Sequence, residues 1–256
     1  MTARRIARIA HPGGIHHATV EPDGYALIDD PFTKRLRHNG TVVPTRDARL
    51  LAPVTPRTVV GMAHNTGPAD RQLPPQAFLK PATTVAGPGA PIPLPTGIGR
   101  VDAEAELAVV IGCRATRLTL SDAAEHILGV TVANDVTARD LQKSDPLWFA
   151  AKGFDGWTPL GPWIATGLTP DDLSISLQVD GVDLQAAGTA DLARSVLECL
   201  VYVTSVLTLH PGDVVLTGAP GGTGPITAGS TVTATVAGVG ELHNPVCAAE
   251  DQREVA

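Results

Sequence analysis

Aromatic residues make up only 4% of this 256-residue chain, and cysteine occurs three times, as Cys113, Cys199 and Cys247. Three thiols far apart in apolar surroundings, with no CxxC pair, exclude a disulfide framework and a thiolate zinc site and fit a reducing compartment. Apolar runs long enough to span a membrane are missing. The opening MTARRIARIAHPGG also lacks the apolar stretch of a signal peptide, so a soluble, cytoplasmic protein is expected. Basic runs are missing too: the formal net charge is -7, and nothing compensates it locally, which argues against general nucleic-acid binding and leaves a small molecule or a protein as partner. There is no internal repeat and no low-complexity tract.

Glycine (26) and proline (22) are plentiful, and together with few aromatics they suggest many short strands joined by turns. RIARIA, HHATV and GYALI, separated by HPGG and EPDG, predict a small N-terminal β domain over residues 1–54. Pro53 and Pro56 mark its boundary with a larger unit over 55–256. There TVVGMAHN reads as a strand running into a Gly-, Pro- and polar-rich loop (65–76), a candidate lid, followed by FLKPATTV and the strand ELAVVIG. Thr119-Leu120-Ser121-Asp122 before AAEHIL has the capping-box form and predicts a short helix. GVTVAND and GPWIA read as strands. Leu192, Val196, Leu200, Val203 and Leu207 recur at helical spacing and predict a second helix through TADLARSVLECLVYVTSVL. STVTATVAGVGEL alternates as a half-buried strand with a glycine turn. The expected class is α+β.

Glu104 and Glu106 lie two apart in AEAELAVVIG, so an extended backbone puts both carboxylates on one face. Two like charges there need a cation, a proton or water. ExE is equally at home on the wet face of a half-exposed strand. If GVTVAND runs alongside, however, Asp135 brings a third carboxylate, and three oxygen ligands without His or Cys suit Mg²⁺ or Mn²⁺, less so Ca²⁺. Lys152, in a Gly- and Pro-rich turn, is either a cation facing that site or a solubilising surface residue. Arg139 and Gln142 either fork onto a substrate carboxylate or form a surface salt bridge. GAPGGTG lacks the Lys-Ser/Thr sequel of a phosphate loop and reads as backbone amides, from Gly218 with Thr217 just before it, approaching a substrate carboxylate. His11, His16 and His17 straddle a turn and are not assigned a role.

The runs EAELAVVIG, GVTVANDVTARDLQ, AKGFDGWTPLGPWI and HPGDVVLTGAPGGTG, in this order and spacing, resemble the fumarylacetoacetate hydrolase family over roughly residues 55–247. The leading strands also resemble the small N-terminal domain of many members. The resemblance implies a mixed β-roll, usually a homodimer, with Glu104, Glu106 and Asp135 as metal ligands, Lys152 as the active-site lysine, and Arg139 and Gln142 in the substrate-binding stretch. It implies action on 2-oxo or 1,3-dicarbonyl acids through a metal-stabilised enolate.

The chain departs from the family pattern in its lid. Hydrolytic members carry a His and, three residues on, a Glu, after an N-Y motif; aligning Asn65 with that asparagine puts Ala69 and Gln72 at the two positions. His64 and Asp70 stand nearby as replacements. Ala219 stands where LTGTP is frequent. Decarboxylation or enol–keto isomerisation of an oxo-acid needs no activated water and is the first expectation. A C–C hydrolase of acylpyruvate or fumarylpyruvate type with a replacement base is the second. A non-catalytic or specialised biosynthetic role is the third.

Overall fold

A computed structural model describes residues 4–33 and 35–249. Strand alternation is clearest near the end of the chain: in Thr231–Val236, Val232, Ala234 and Val236 are buried while the threonines between them keep some exposure. The following turn returns the chain into Gly240–Ala248, paired in register from Val236↔Gly240 to Thr231↔Pro245.

Among the described residues the strands form a twelve-stranded, a six-stranded and a three-stranded sheet. The main path of the largest runs His38–Val43, Gly24–Ile28, Gly14–Glu21, Arg5–His11, Thr158–Ala165, Ile127–Asn134, Ala105–Ile111, Val214–Leu216, Val59–Ala63, Gln76–Lys80. Pairing along it is antiparallel except between Val214–Leu216 and Val59–Ala63, which run parallel. This is the mixed-sheet fold with few helices that the sequence predicts. The N-terminal strands continue the same sheet, through Arg5↔Ala165 and Ile6↔Ile164.

Ala105–Ile111 is buried at every position. Leu107, Val109 and Ile111 pack with Ile175, Leu177, Val232 and Val236 of the six-stranded sheet. Ala108 and Val110 face the opposite core, with Ile6, Leu160, Ile164 and Leu216. A strand covered on both faces reads as a continuous apolar run, which is why ELAVVIG lacks alternation. Each fully buried Leu or Ile contributes roughly 1.5–3 kcal/mol. Extending the even-numbered face back along the strand leads to Glu106.

Both predicted helices are shorter than expected. In the 189–207 segment a 3₁₀ turn, Thr189–Asp191, precedes an α-helix over Val196–Val206 only. The intervening backbone is committed elsewhere: the Arg194 N–H donates to Asn65 Oδ1 at 2.6 Å. The helix starts instead at a capping box, with Glu198 N donating to Ser195 Oγ (3.2 Å) and Ser195 N to Glu198 Oε2 (2.9 Å). Near Thr119 only one 3₁₀ turn forms, Ala123–His126. Thr119 N does donate to Asp122 Oδ1 (2.7 Å), but the Thr119 hydroxyl pairs with Ser121, so the other half of that box is unmade. No helix among the described residues is long and apolar enough to cross a membrane.

Candidate active site

Glu104 occupies the single residue between the strands Val101–Ala103 and Ala105–Ile111, and Asp135 follows directly on Ile127–Asn134. The register Glu106↔Ala133 and Ala105↔Asn134 brings the two segments side by side. Asp135 N donates to Glu104 O at 2.9 Å and Glu104 N to Asn134 Oδ1 at 3.0 Å, so the backbone fixes both residues. One carboxylate oxygen from each of Glu104, Glu106 and Asp135 lies within 4.8 Å of the others, and all three residues are buried.

Such a cluster is costly unless compensated. Burial, then Asp135 and Glu104, push Glu106 well above the usual carboxylate range. The Gly218 N–H, donating to Glu106 Oε2 at 2.7 Å, offsets part of this. Burial also raises Asp135, but Lys152 and Lys80 outweigh it and hold that group below its ordinary value. Lys152 is lowered by burial and raised more by Asp135, Glu104 and Glu106, so it stays above the ordinary ammonium value. An excess of buried negative charge with all-oxygen donors is the chemistry of a hard divalent cation site, and the residues fit one.

Lys152 ends the short helix Phe149–Lys152 and is buried rather than solubilising. Its Nζ donates to Glu104 Oε2 (2.9 Å), to Thr137 Oγ1 (2.7 Å) and to Asp135 Oδ2. The ammonium lies 4.9 Å from the Phe78 ring centre and 5.9 Å from that of Trp148. The tip of the Phe78 ring packs against Gly61, where a Cβ would fall 2.1 Å from its Cζ. These side chains border a cavity of about 250 Å³, lined also by Met62, Ala63, His64, Thr66, Asp70, Glu104, Glu106, Asp135, Arg139, Gln142, Gly218 and Ala219.

Arg139 is largely spoken for: Nε donates to Asp102 Oδ2 (2.8 Å), one terminal nitrogen to Gln142 Oε1 (3.0 Å), and the other to Thr223 Oγ1 (3.1 Å), while pairing with Glu104 Oε1 at 2.6 Å. It braces the Glu104 carboxylate, and it leaves the Gln142 amide nitrogen as a donor for the cavity. The Thr217 hydroxyl donates to Leu107 O (3.0 Å) and lies outside the cavity lining. Gly218 turns its amide to Glu106. His64 is exposed, has φ of 52° and sits edge-on to Trp148 at 5.5 Å. Asp70 accepts from Thr66 N (2.9 Å) and Thr66 Oγ1 (2.8 Å). Ala69 and Gln72 lie outside the cavity lining.

Lys80, Asp102, Phe78 and Trp148 escaped the sequence reading. Asp102 stands two residues before Glu104, so the ExE pattern extends to DxExE. Phe78 and Lys80 stand two apart in QAFLK and are its two buried positions.

A profile described as fumarylacetoacetate (FAA) hydrolase, C-terminal, matches residues 54–247, and one described as Rv2993c-like, N-terminal, matches residues 4–53. The chain belongs to the fumarylacetoacetate hydrolase family. It is similar to the crystal structure of 2-hydroxyhepta-2,4-diene-1,7-dioate isomerase from Mycobacterium marinum, at 41% identity and a TM-score of 0.91 over 96% of this chain and 98% of that one. The mitochondrial oxaloacetate tautomerase FAHD2A of Bos taurus is 38% identical over 72% of this chain and 62% of its own length. Maleylpyruvate hydrolase from Sphingobium sp. SYK-6, solved with manganese(II) and pyruvate, is 26% identical with a TM-score of 0.80, over 96% of this chain and 100% of that one.

Proposed function

We propose that this protein is a Mg²⁺- or Mn²⁺-dependent enzyme that interconverts enol and keto forms of a small 2-oxo acid, decarboxylation being the related outcome of the same enolate chemistry. Glu104, Glu106 and Asp135 would hold the ion. A divalent ion bound there supplies the Lewis acidity that draws electron density from a 2-oxo acid. Lys152 adds fixed positive charge beside the carboxylates, where an enolate oxygen gains most from it. Phe78 and Trp148 restrict water on that side, and Gln142 offers a donor to a substrate carboxylate.

The observation that carries the reading is the state of the acid–base groups at the cavity. Asp70 is engaged by Thr66, and Ala69 and Gln72 stand where a water-activating pair would be. Among the described residues His64 supplies the one imidazole of the cavity lining, a side chain able both to accept and to donate a proton. One such group suits moving a proton between carbon and oxygen better than it suits activating water, which the hydrolytic relatives assign to a pair. The relatives named isomerase and tautomerase support the same choice. No described residue before 55 lines the cavity, so the chemistry is assigned to the larger unit.

The test follows the ultraviolet absorbance of enol-oxaloacetate alongside pyruvate and carbon dioxide release. Enzyme-dependent loss of the enol, abolished by EDTA and by Glu106→Ala and slowed by His64→Ala, is expected. Activity surviving EDTA and Glu106→Ala refutes the metal reading. Cleavage of an acylpyruvate that depends on His64 or Asp70 would favour the hydrolase instead.

A further inference from the structure

Lys80 has no place in the chemistry above, yet it is the most completely enclosed cation near the site: its side chain is 0% exposed and does not line the cavity. It closes the strand Gln76–Lys80, which pairs with Val59–Ala63 at the end of the main sheet path. Its Nζ donates to Asp135 Oδ1 and, at 3.0 Å, to the Trp157 carbonyl. That carbonyl also accepts from Val136 N (3.2 Å), while Asp135 N is held by Glu104 O (2.9 Å). Backbone bonds therefore fix the chain on both sides of Asp135, and what remains free is the turn of its carboxylate. Lys80 grips one oxygen of that carboxylate. The other, Oδ2, faces Lys152 at the cavity.

We propose that Lys80 is a positioning residue that sets the Asp135 carboxylate as a metal ligand. The proposal rests on the metal reading above. An ammonium shut off from the cavity cannot touch substrate, and Asp135 is the carboxylate it bonds. Removing it has two opposing consequences. Charge alone would tighten cation binding, because a positive neighbour is gone. Orientation would loosen it, because Asp135 Oδ1 loses its donor and the carboxylate turns. Orientation wins, since hydrogen-bond partners of metal ligands typically govern affinity about 10–100-fold.

Mn²⁺ titration followed by electron paramagnetic resonance of the free ion, on the full chain, separates these outcomes. The wild type binds Mn²⁺, Glu106→Ala abolishes binding, and Lys80→Met weakens it by at least about tenfold. In an Asp135→Asn background Lys80→Met has no further effect, as expected for residues acting through one another. Equal or tighter binding by Lys80→Met overturns the proposal, as does the same weakening in both backgrounds, which would mark a merely structural lysine. A wild type that binds no Mn²⁺ overturns the metal reading itself. Should Lys80→Met not fold by circular dichroism, Lys80→Gln replaces it, and a crystal structure of the Mn²⁺-loaded wild type decides independently. Lys80 bonded to Asp135 is expected there; Lys80 detached from Asp135 overturns the proposal.

Discussion

Gly218 and Asn65 approach so closely that a Cβ at 218 would lie 2.4 Å from the Asn65 carbonyl oxygen. Gly218 also has φ of +100°, a conformation that L side chains rarely adopt. Both features serve its amide, which donates to Glu106 at 2.7 Å. Gly218→Ala therefore combines backbone strain of order 1–3 kcal/mol with displacement of the Glu106 donor. A lower Tm and a loss of Mn²⁺ affinity together are expected; a Tm change without one in affinity would disconnect Gly218 from the site.

Arg139 spans two carboxylates, Asp102 at 2.8 Å and Glu104 at 2.6 Å. A lysine there can hold one but not both, because it lacks the planar fork. Arg139→Lys is expected to fold normally and to raise the Mn²⁺ concentration for half-maximal activity about tenfold. An unchanged requirement with a raised substrate KM would return Arg139 to direct substrate binding.

Cys113 and Cys199 should differ sharply toward an alkylating reagent. Burial, with Glu198 adding to it, pushes the Cys199 thiol up to about 12, whereas Cys113 is exposed. At pH 8 mass spectrometry should find Cys113 modified in the native protein and Cys199 only after unfolding. Equal labelling of both would contradict the packing that buries Cys199 with its Sγ 3.4 Å from Asn65 Nδ2.

Glu198 carries a pH signature. Its hydrogen bonds from Arg71, against a smaller opposing effect of burial and with Ser195 assisting, lower it from 4.5 to about 2. A carboxyl depressed on folding contributes stability in full above its unfolded value and loses it as pH falls from about 4.5 towards 2. The Tm gap between wild type and Glu198→Gln should thus shrink on acidification through that window. Because the pair is partly exposed, the gap should also shrink with added salt. A gap constant with pH would assign the residue to helix capping alone.

The strands were legible because burial imposes period two, as in Thr231–Val236, or because coverage on both faces leaves an apolar run, as in Ala105–Ile111. The carboxylates were legible as anomalies within that run. Lys80 was not, since its partner Asp135 lies 55 residues away and a lysine before proline carries no local pattern. The helix limits failed for a related reason. The turns around Leu192 have helical spacing, but Asn65, 129 residues distant, takes the Arg194 N–H. Local propensity is weak against a buried side-chain amide that needs partners.

The pairing of Arg5 and Ile6 with Ala165 and Ile164 carries a further implication. Cutting away the first 54 residues would not yield a smaller enzyme with its cavity intact. It would uncover the end of Thr158–Ala165 at Ile164 and Ala165, while Val85–Ala86 still pairs with Thr158 and Pro159, leaving unpaired backbone groups beside Ile164, a side chain now wholly enclosed. Such a bare margin recruits the next chain by strand addition. The described residues of the N-terminal segment line none of the cavity yet cover part of this sheet margin, so their removal should show first as turbidity.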